Sequence, residues 1–171
     1  MTGELAGERV VLRPLAAADR PRMREILAQP QVAVRWLGTL GLEGTVDVLF
    51  APEDGDAVFA IAFDGAVIGA IQYGEEADPD YRHASIDVFL ASEWHGQGLG
   101  TDAVRTLARH LIRDRGHHRV TIDPAADNAA AIRTYEKAGF RPVGVMRQYE
   151  RGPDGSWHDG LLMDLLADDQ A

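Results

Sequence analysis

The 171-residue sequence has no cysteine, and only one of its 17 basic residues is a lysine, Lys137. Without cysteine there is no disulfide framework, no thiolate nucleophile and no cysteine-based metal site, so covalent-cysteine enzymes are excluded. Basic charge is scarce as a whole: 27 acidic residues leave a formal charge of −10. A field of that sign repels phosphate backbones and anionic lipid, which argues against nucleic-acid and membrane partners and suits a cationic ligand. Long apolar runs are also missing. The longest, Ala57 to Phe63, is far too short to span a bilayer. Met1 to Arg13 lacks the basic-then-apolar order of a secretory leader, so a cytoplasmic protein is expected. No His-Glu-x-x-His pattern occurs among the six histidines, and no metal is expected. No Gly-x-Ser-x-Gly elbow is present to anchor an acyl-serine mechanism.

What is present is a globular composition, 46% hydrophobic and 26% charged, which predicts one packed domain over residues 1–171. Glu8 to Arg13 reads as a strand and Ala17 to Ala28 as an amphipathic helix with Met23, Ile26 and Leu27 on its apolar side. Glu43 to Phe50 reads as a second helix. Ala57–Phe63 and Ala66–Tyr73 form a hairpin about Asp64-Gly65, and acidic Glu75 to Arg82 is a loop. Ala84 to Ala91 is a strongly apolar strand interrupted by Asp87. Gly98 to Gly116 carries Leu99, Val104, Leu107 and Leu111 at helical spacing. His118 to Asp123 is a strand, Asn128 to Ala138 a helix stopped by Gly139, and strands at about Phe140–Glu150 and Trp157–Leu166 complete an α/β pattern.

The sharpest feature is His95-Gly96-Gln97-Gly98-Leu99-Gly100-Thr101, set between an apolar strand and a helix. Glycines let backbone N–H groups converge on an anion, and the start of the helix adds about half a positive charge. A phosphate or pyrophosphate is the natural guest. The spacing fits neither a P-loop nor the dinucleotide fingerprint, since Thr101 stands where a third glycine would be. Further on, Asn128, Ile132 and Tyr135 share one helical face and are placed to meet one extended ligand. A carboxylate inside an apolar strand, as at Asp87, is costly unless it has work to do.

The loop and the later Asn128-Ala-Ala-Ala-Ile-Arg-Thr-Tyr135-Glu-Lys-Ala-Gly139-Phe140 together resemble the GNAT superfamily of N-acetyltransferases. The loop matches its Arg/Gln-x-x-Gly-x-Gly/Ala signature at Gly98 and Gly100, with His95 where arginine or glutamine is usual. The resemblance implies a mixed central sheet of about seven strands flanked by about four helices, with two central strands splayed to form an acetyl-CoA cleft. It places the pyrophosphate on the amides of Gln97 to Gly100 and pairs the pantetheine with exposed backbone of Val88 and Leu90, with Phe89 and the rest of the turn from His95 to Thr101 as further cofactor-binding residues. Asn128 and Tyr135 then line the cofactor, and Tyr135 donates a proton to the departing CoA thiolate.

Within the superfamily, Ile86-Asp87-x-x-Leu90-Ala91 with Asp123-Pro124 is similar to aminoglycoside 6′-N-acetyltransferases. This implies acetylation of the 6′-amine of an aminoglycoside, hence antibiotic resistance, by direct transfer in a ternary complex. The enzyme would be a monomer or a homodimer. Asp87 is the expected base, Asp123 and either Asp154 or Asp159 further ammonium ligands, and Tyr73 a surface for a sugar ring. The ending Trp157 to Leu166 also resembles the ribosomal-protein N-acetyltransferases, which leaves a protein N-terminus or a polyamine as the alternative acceptor.

Overall fold

The computed structural model describes residues 3–170. The order is β1 (Leu5–Ala6), β2 (Val11–Pro14), α1 (Arg20–Leu27), α2 (Pro30–Trp36), α3 (Gly41–Leu49), β3 (Ala57–Phe63), β4 (Ala66–Glu76) and β5 (His83–Leu90). Then come α4 (Leu99–Arg113), β6 (Arg119–Ile122), α5 (Ala129–Ala138), β7 (Arg141–Arg151) and β8 (Trp157–Leu166). The strands form one mixed sheet in the order β1-β2-β3-β4-β5-β6-β8-β7. On one face Leu99, Val104, Leu107 and Leu111 of α4 pack with Phe59, Ile71 and Ile86. On the other, Met23, Ile26 and Leu27 of α1 and Val46 and Leu49 of α3 cover Ala60, Ala70 and Phe89.

One relationship in the sheet positions the site. β5 runs antiparallel to β4 over its whole length, but its parallel pairing with β6 is confined to Ala84–Val120 and Ser85–Thr121. Beyond Ser85 the two strands part, so Ile86 to Leu90 have a strand neighbour on the β4 side only. Backbone groups facing the gap are available to an extended ligand.

The expected seven strands and four helices become eight and five among the described residues. The added helix is α2, where Pro30 is not punctuation but the first helical residue; its missing N–H would have had no partner there. The first long strand begins at Val11 rather than Glu8, because the N–H groups of Glu8, Arg9 and Val10 turn to the Asp102 carboxylate, at 3.0, 2.8 and 2.9 Å. Likewise β4 continues through Glu76 instead of yielding to a loop at Glu75. There Glu75 accepts hydrogen bonds from Arg115 and pairs with the buried His117, tying β4 to the end of α4.

Candidate active site

The glycine turn sits where the sequence places it, at the start of α4. Gly98 is the N-cap with φ +78°, and Gly96 has φ +74°, backbone conformations that a Cβ would strain. At Gly100 a Cβ would meet Leu90 and Thr134 at 3.4 and 3.5 Å, ordinary van der Waals contact, so the packing there does not itself require glycine. Beside the turn lies a groove of about 550 Å³, lined by Val88, Phe89, Leu90, His95, Gly96, Gly98 to Thr101, Asn128 and Tyr135. Gln97 does not line it: its side chain bonds the Glu93 carbonyl, and its own carbonyl is held by Arg9. The His95 ring is 2.8 Å from the Leu90 carbonyl, so that oxygen already has a partner. Asn128 caps α5, accepting from the Ala131 N–H, and Thr101 bonds the Thr134 carbonyl to join α4 to α5.

The groove runs into a larger cleft of about 1480 Å³, sharing Val88, Asn128 and Tyr135 as wall. Its sides are β5 and the end of β6, with α2 and the β7–β8 hairpin at the mouth. Trp36 anchors α2 edge-on to Phe89 at 4.7 Å, and Arg35 reaches Asp127 at 2.7 Å.

Three carboxylates, Asp87, Asp123 and Glu150, line this cleft, and among the described residues none of them forms an ion pair with arginine, lysine or histidine. Asp87 is open to the cleft yet enclosed by protein on its other sides. Burial, the charge of Asp123 and that of Glu150 raise its pKa to about 6, with a hydrogen bond from its cross-strand partner Gln72 acting the other way. Burial also raises Asp123 and Glu150. Tyr135, almost fully buried, is raised well above the usual phenol value by desolvation and by the charges of Asp87 and Asp123. Asp87, Asp123 and Glu150 repel one another and among the described residues none is offset by an ion pair, although Arg35, Arg119 and Arg151 also line the cleft; such a set of carboxylates attracts a cation.

The acetyltransferase (GNAT) domain family matches residues 9–141, most of the chain. This chain belongs to the GNAT acetyltransferases. Aminoglycoside N(6')-acetyltransferase type 1 of Klebsiella pneumoniae is 43% identical over 82 residues, 47% of this chain and only 38% of that relative. L-amino acid N-acetyltransferase AaaT of Escherichia coli is 26% identical over 145 residues, 82% of this chain and 88% of that one. The solved structure of AAC(6')-Ib in complex with ribostamycin and coenzyme A superposes with a TM-score of 0.78 at 26% identity, covering 95% of this chain and 96% of that one.

In this GNAT acetyltransferase the structure brings Asp87, Asp123, Asp154, Asn128 and Tyr135 to one cleft. It does not bring Tyr73 there. That ring is buried against Phe59, centroids 6.4 Å apart, because its position on β4 faces the α4 side of the sheet. Asp159 is also outside the cleft lining; its Oδ1 accepts the Gln148 N–H at 2.8 Å. Asp154 lies at the mouth, but its oxygens hold Ser156 and it sits beside His158, which keeps its pKa down at about 2. Arg82 does not pair with Asp87; it bonds the carbonyls of Arg115 and Gly116.

Two cleft residues of this GNAT acetyltransferase, Tyr149 and Glu150, were missed by sequence reasoning. Met146 pairs with Gly160 and Glu150 with His158, so Arg147, Gln148 and Tyr149 together oppose Asp159 alone. This bulge, with Gln148 at φ +50°, breaks strand alternation and turns Tyr149 toward Asp123. An uninterrupted strand reading gives no signal of it. Among the described residues no cluster of three or more metal-binding side chains occurs, and no helix is long and apolar enough to cross a membrane.

Proposed function

We propose that this chain transfers the acetyl group of acetyl-CoA directly to a primary amine of a small polycation, with the 6′-amine of an aminoglycoside as the leading acceptor. The observation that carries this reading is the set of unpaired carboxylates Asp87, Asp123 and Glu150 beside the glycine-turn groove. The likeness to AAC(6')-Ib, itself seen with ribostamycin and coenzyme A, supports it.

The residues fit acetyl-CoA. Gly96, Gly98, Leu99 and Gly100, at the N-terminus of a 15-residue helix, would hold the pyrophosphate. The unpaired side of Val88 would meet the pantetheine, and Asn128 and Tyr135 the thioester end. When bound, acetyl-CoA supplies an activated acyl group.

The acceptor arrives as an ammonium, because an alkylamine of pKa about 10.4 is neutral only once in a few thousand molecules at pH 7. Asp87 and Asp123 first hold that cation. With a pKa of about 6, Asp87 is mostly ionised at pH 7. Direct proton transfer from a resting ammonium to such a carboxylate is uphill by several pK units. Only the fraction that has already given one proton to solvent has a lone pair to attack with; its nitrogen turns strongly acidic as the new C–N bond forms, and Asp87 takes that second proton at that moment. Tyr135 contributes a hydrogen bond to the sulfur rather than its proton, since its raised pKa makes complete transfer to a thiolate of pKa about 8.5 unfavourable. The proton that ends on the sulfur is the one lost by the amine.

The test is acetyl-CoA-dependent thiol release with kanamycin, tobramycin, spermidine, an L-amino acid and a short peptide with a free N-terminus, with the product mass and modified position determined. Turnover on an aminoglycoside with acetylation at the 6′-amine supports the proposal. Turnover confined to the peptide, the amino acid or spermidine replaces the acceptor.

A further inference from the structure

The peptide between Gln97 and Gly98 lies at the centre of the glycine turn, and a residue nearly ninety positions earlier fixes its direction. Arg9 Nη1 donates to the Gln97 carbonyl at 2.6 Å. In a trans peptide the C=O and the following N–H point opposite ways. A Gln97 carbonyl drawn toward Arg9 therefore sends the Gly98 N–H away from it. That direction is the groove, because Gly98 lines it and Gln97 does not.

Arg9 is itself held at both ends. Its backbone N–H bonds Asp102 Oδ2 at 2.8 Å, and its guanidinium carbon lies 5.2 Å from the Phe63 ring centroid. Phe63 in turn meets Trp94 edge-on at 5.6 Å, at the root of the turn. Asp102 also carries the N–H groups of Glu8 and Val10 and gives its own N–H to the Gly98 carbonyl at 3.1 Å. The segment before β2 is thus bolted to the first turn of α4. Gly7 belongs to the same fitting, since a Cβ there would come within 2.7 Å of Thr106 and 2.8 Å of Asp102.

We infer that Arg9 is a positioning residue for the cofactor: it aims the Gly98 N–H at the pyrophosphate without touching it. A glycine turn left alone samples many peptide orientations, and holding one of them lowers the ordering cost on binding. This inference rests on the acetyl-CoA reading above.

Isothermal titration of the wild-type chain with CoA comes first, and absence of binding would remove the reading and this inference together. Given binding, Arg9→Gln is expected to raise the CoA Kd about tenfold and the KM for acetyl-CoA likewise, with kcat at saturation within about twofold of wild type. S-acetylpantetheine lacks the pyrophosphate. The ratio of kcat/KM for acetyl-CoA to that for S-acetylpantetheine is therefore expected to fall about tenfold in Arg9→Gln, and Arg9→Lys, which keeps a donor, to restore much of it. A variant that binds CoA like the wild type overturns the inference, as does one that loses both acyl donors in equal proportion. Should Arg9→Gln fail to fold, Arg9→Met, which keeps the stem against Phe63 but has no donor for the Gln97 carbonyl, gives the same ratio, and an unchanged ratio with an unchanged CoA Kd in that variant overturns the inference.

Discussion

The Tyr149 hydroxyl donates to Asp123 Oδ2 at 2.7 Å, joining the edge strand β7 to the end of β6 across the mouth of the cleft. The bond favours the ionised carboxylate and opposes the rise that burial imposes on Asp123. It also raises the phenol to a pKa of about 12, so Tyr149 remains a donor throughout the working range. Tyr149→Phe is expected to raise the acceptor KM about tenfold, the worth of one hydrogen bond to a charged group, ~1.4 kcal/mol, while the Kd for CoA stays put. Steady-state kinetics at varied acceptor, with titration of CoA alongside, checks both.

In the proposed mechanism Asp87 must be ionised both to hold a cation and to accept its proton, and its pKa of about 6 sets where that fails. The acid limb of kcat/KM is expected to bend near pH 6, with activity falling as pH drops. Asp87→Asn should lower kcat about 10²- to 10³-fold and abolish that bend, with the CoA Kd unaltered. A pH profile of the variant equal to that of the wild type would remove Asp87 from the chemistry.

Glu75 is held down at about pKa 2, mainly by its hydrogen bond from Arg115 and further by His117. A carboxylate whose folded pKa is lowered contributes stability that is present above its unfolded value of 4.5 and is lost as pH falls toward 2. Glu75→Gln is expected to destabilise the fold at pH 7 by on the order of 2 kcal/mol and to flatten the loss of stability between those two pH values. Urea unfolding at a series of pH values measures both.

Gly98→Ala places a Cβ at φ +78°. It should cost about 1–2 kcal/mol in unfolding free energy and, by shifting the Gly98 N–H, weaken CoA more than it slows turnover at saturation. Denaturation and calorimetric titration separate the two effects.

The parts of the fold with local punctuation were legible: the Asp64-Gly65 hairpin, α4 with its glycine cap, and α5 between Asn128 and Gly139 all carry their boundaries in adjacent residues. What escaped depended on distant partners. Glu8 to Val10 read as strand until Asp102, more than ninety residues on, took their N–H groups. Tyr73 had the residue type for a sugar platform, but which face of β4 it presents is decided by registry with β3 and β5. Tyr149 and Glu150 reach the cleft through a bulge that no alternation pattern encodes. Asp87 stood out because a charge inside an apolar strand breaks a local rule, and the structure puts it in the wall of the cleft.

β7 touches the sheet through β8 alone, and it carries Tyr149 and Glu150, whereas the glycine turn and Asp87 belong to the β4–β5–α4 half. An outermost strand has one neighbour to satisfy, so its loop length and side chains are free to be exchanged with little disturbance to the inner ladder. The architecture is that of a fixed engine with a replaceable nozzle. Grafting β7 and the turn that follows it from a related acetyltransferase onto this chain, with the inner strand β8 kept, is expected to redirect the choice of amine while leaving the acyl donor unchanged.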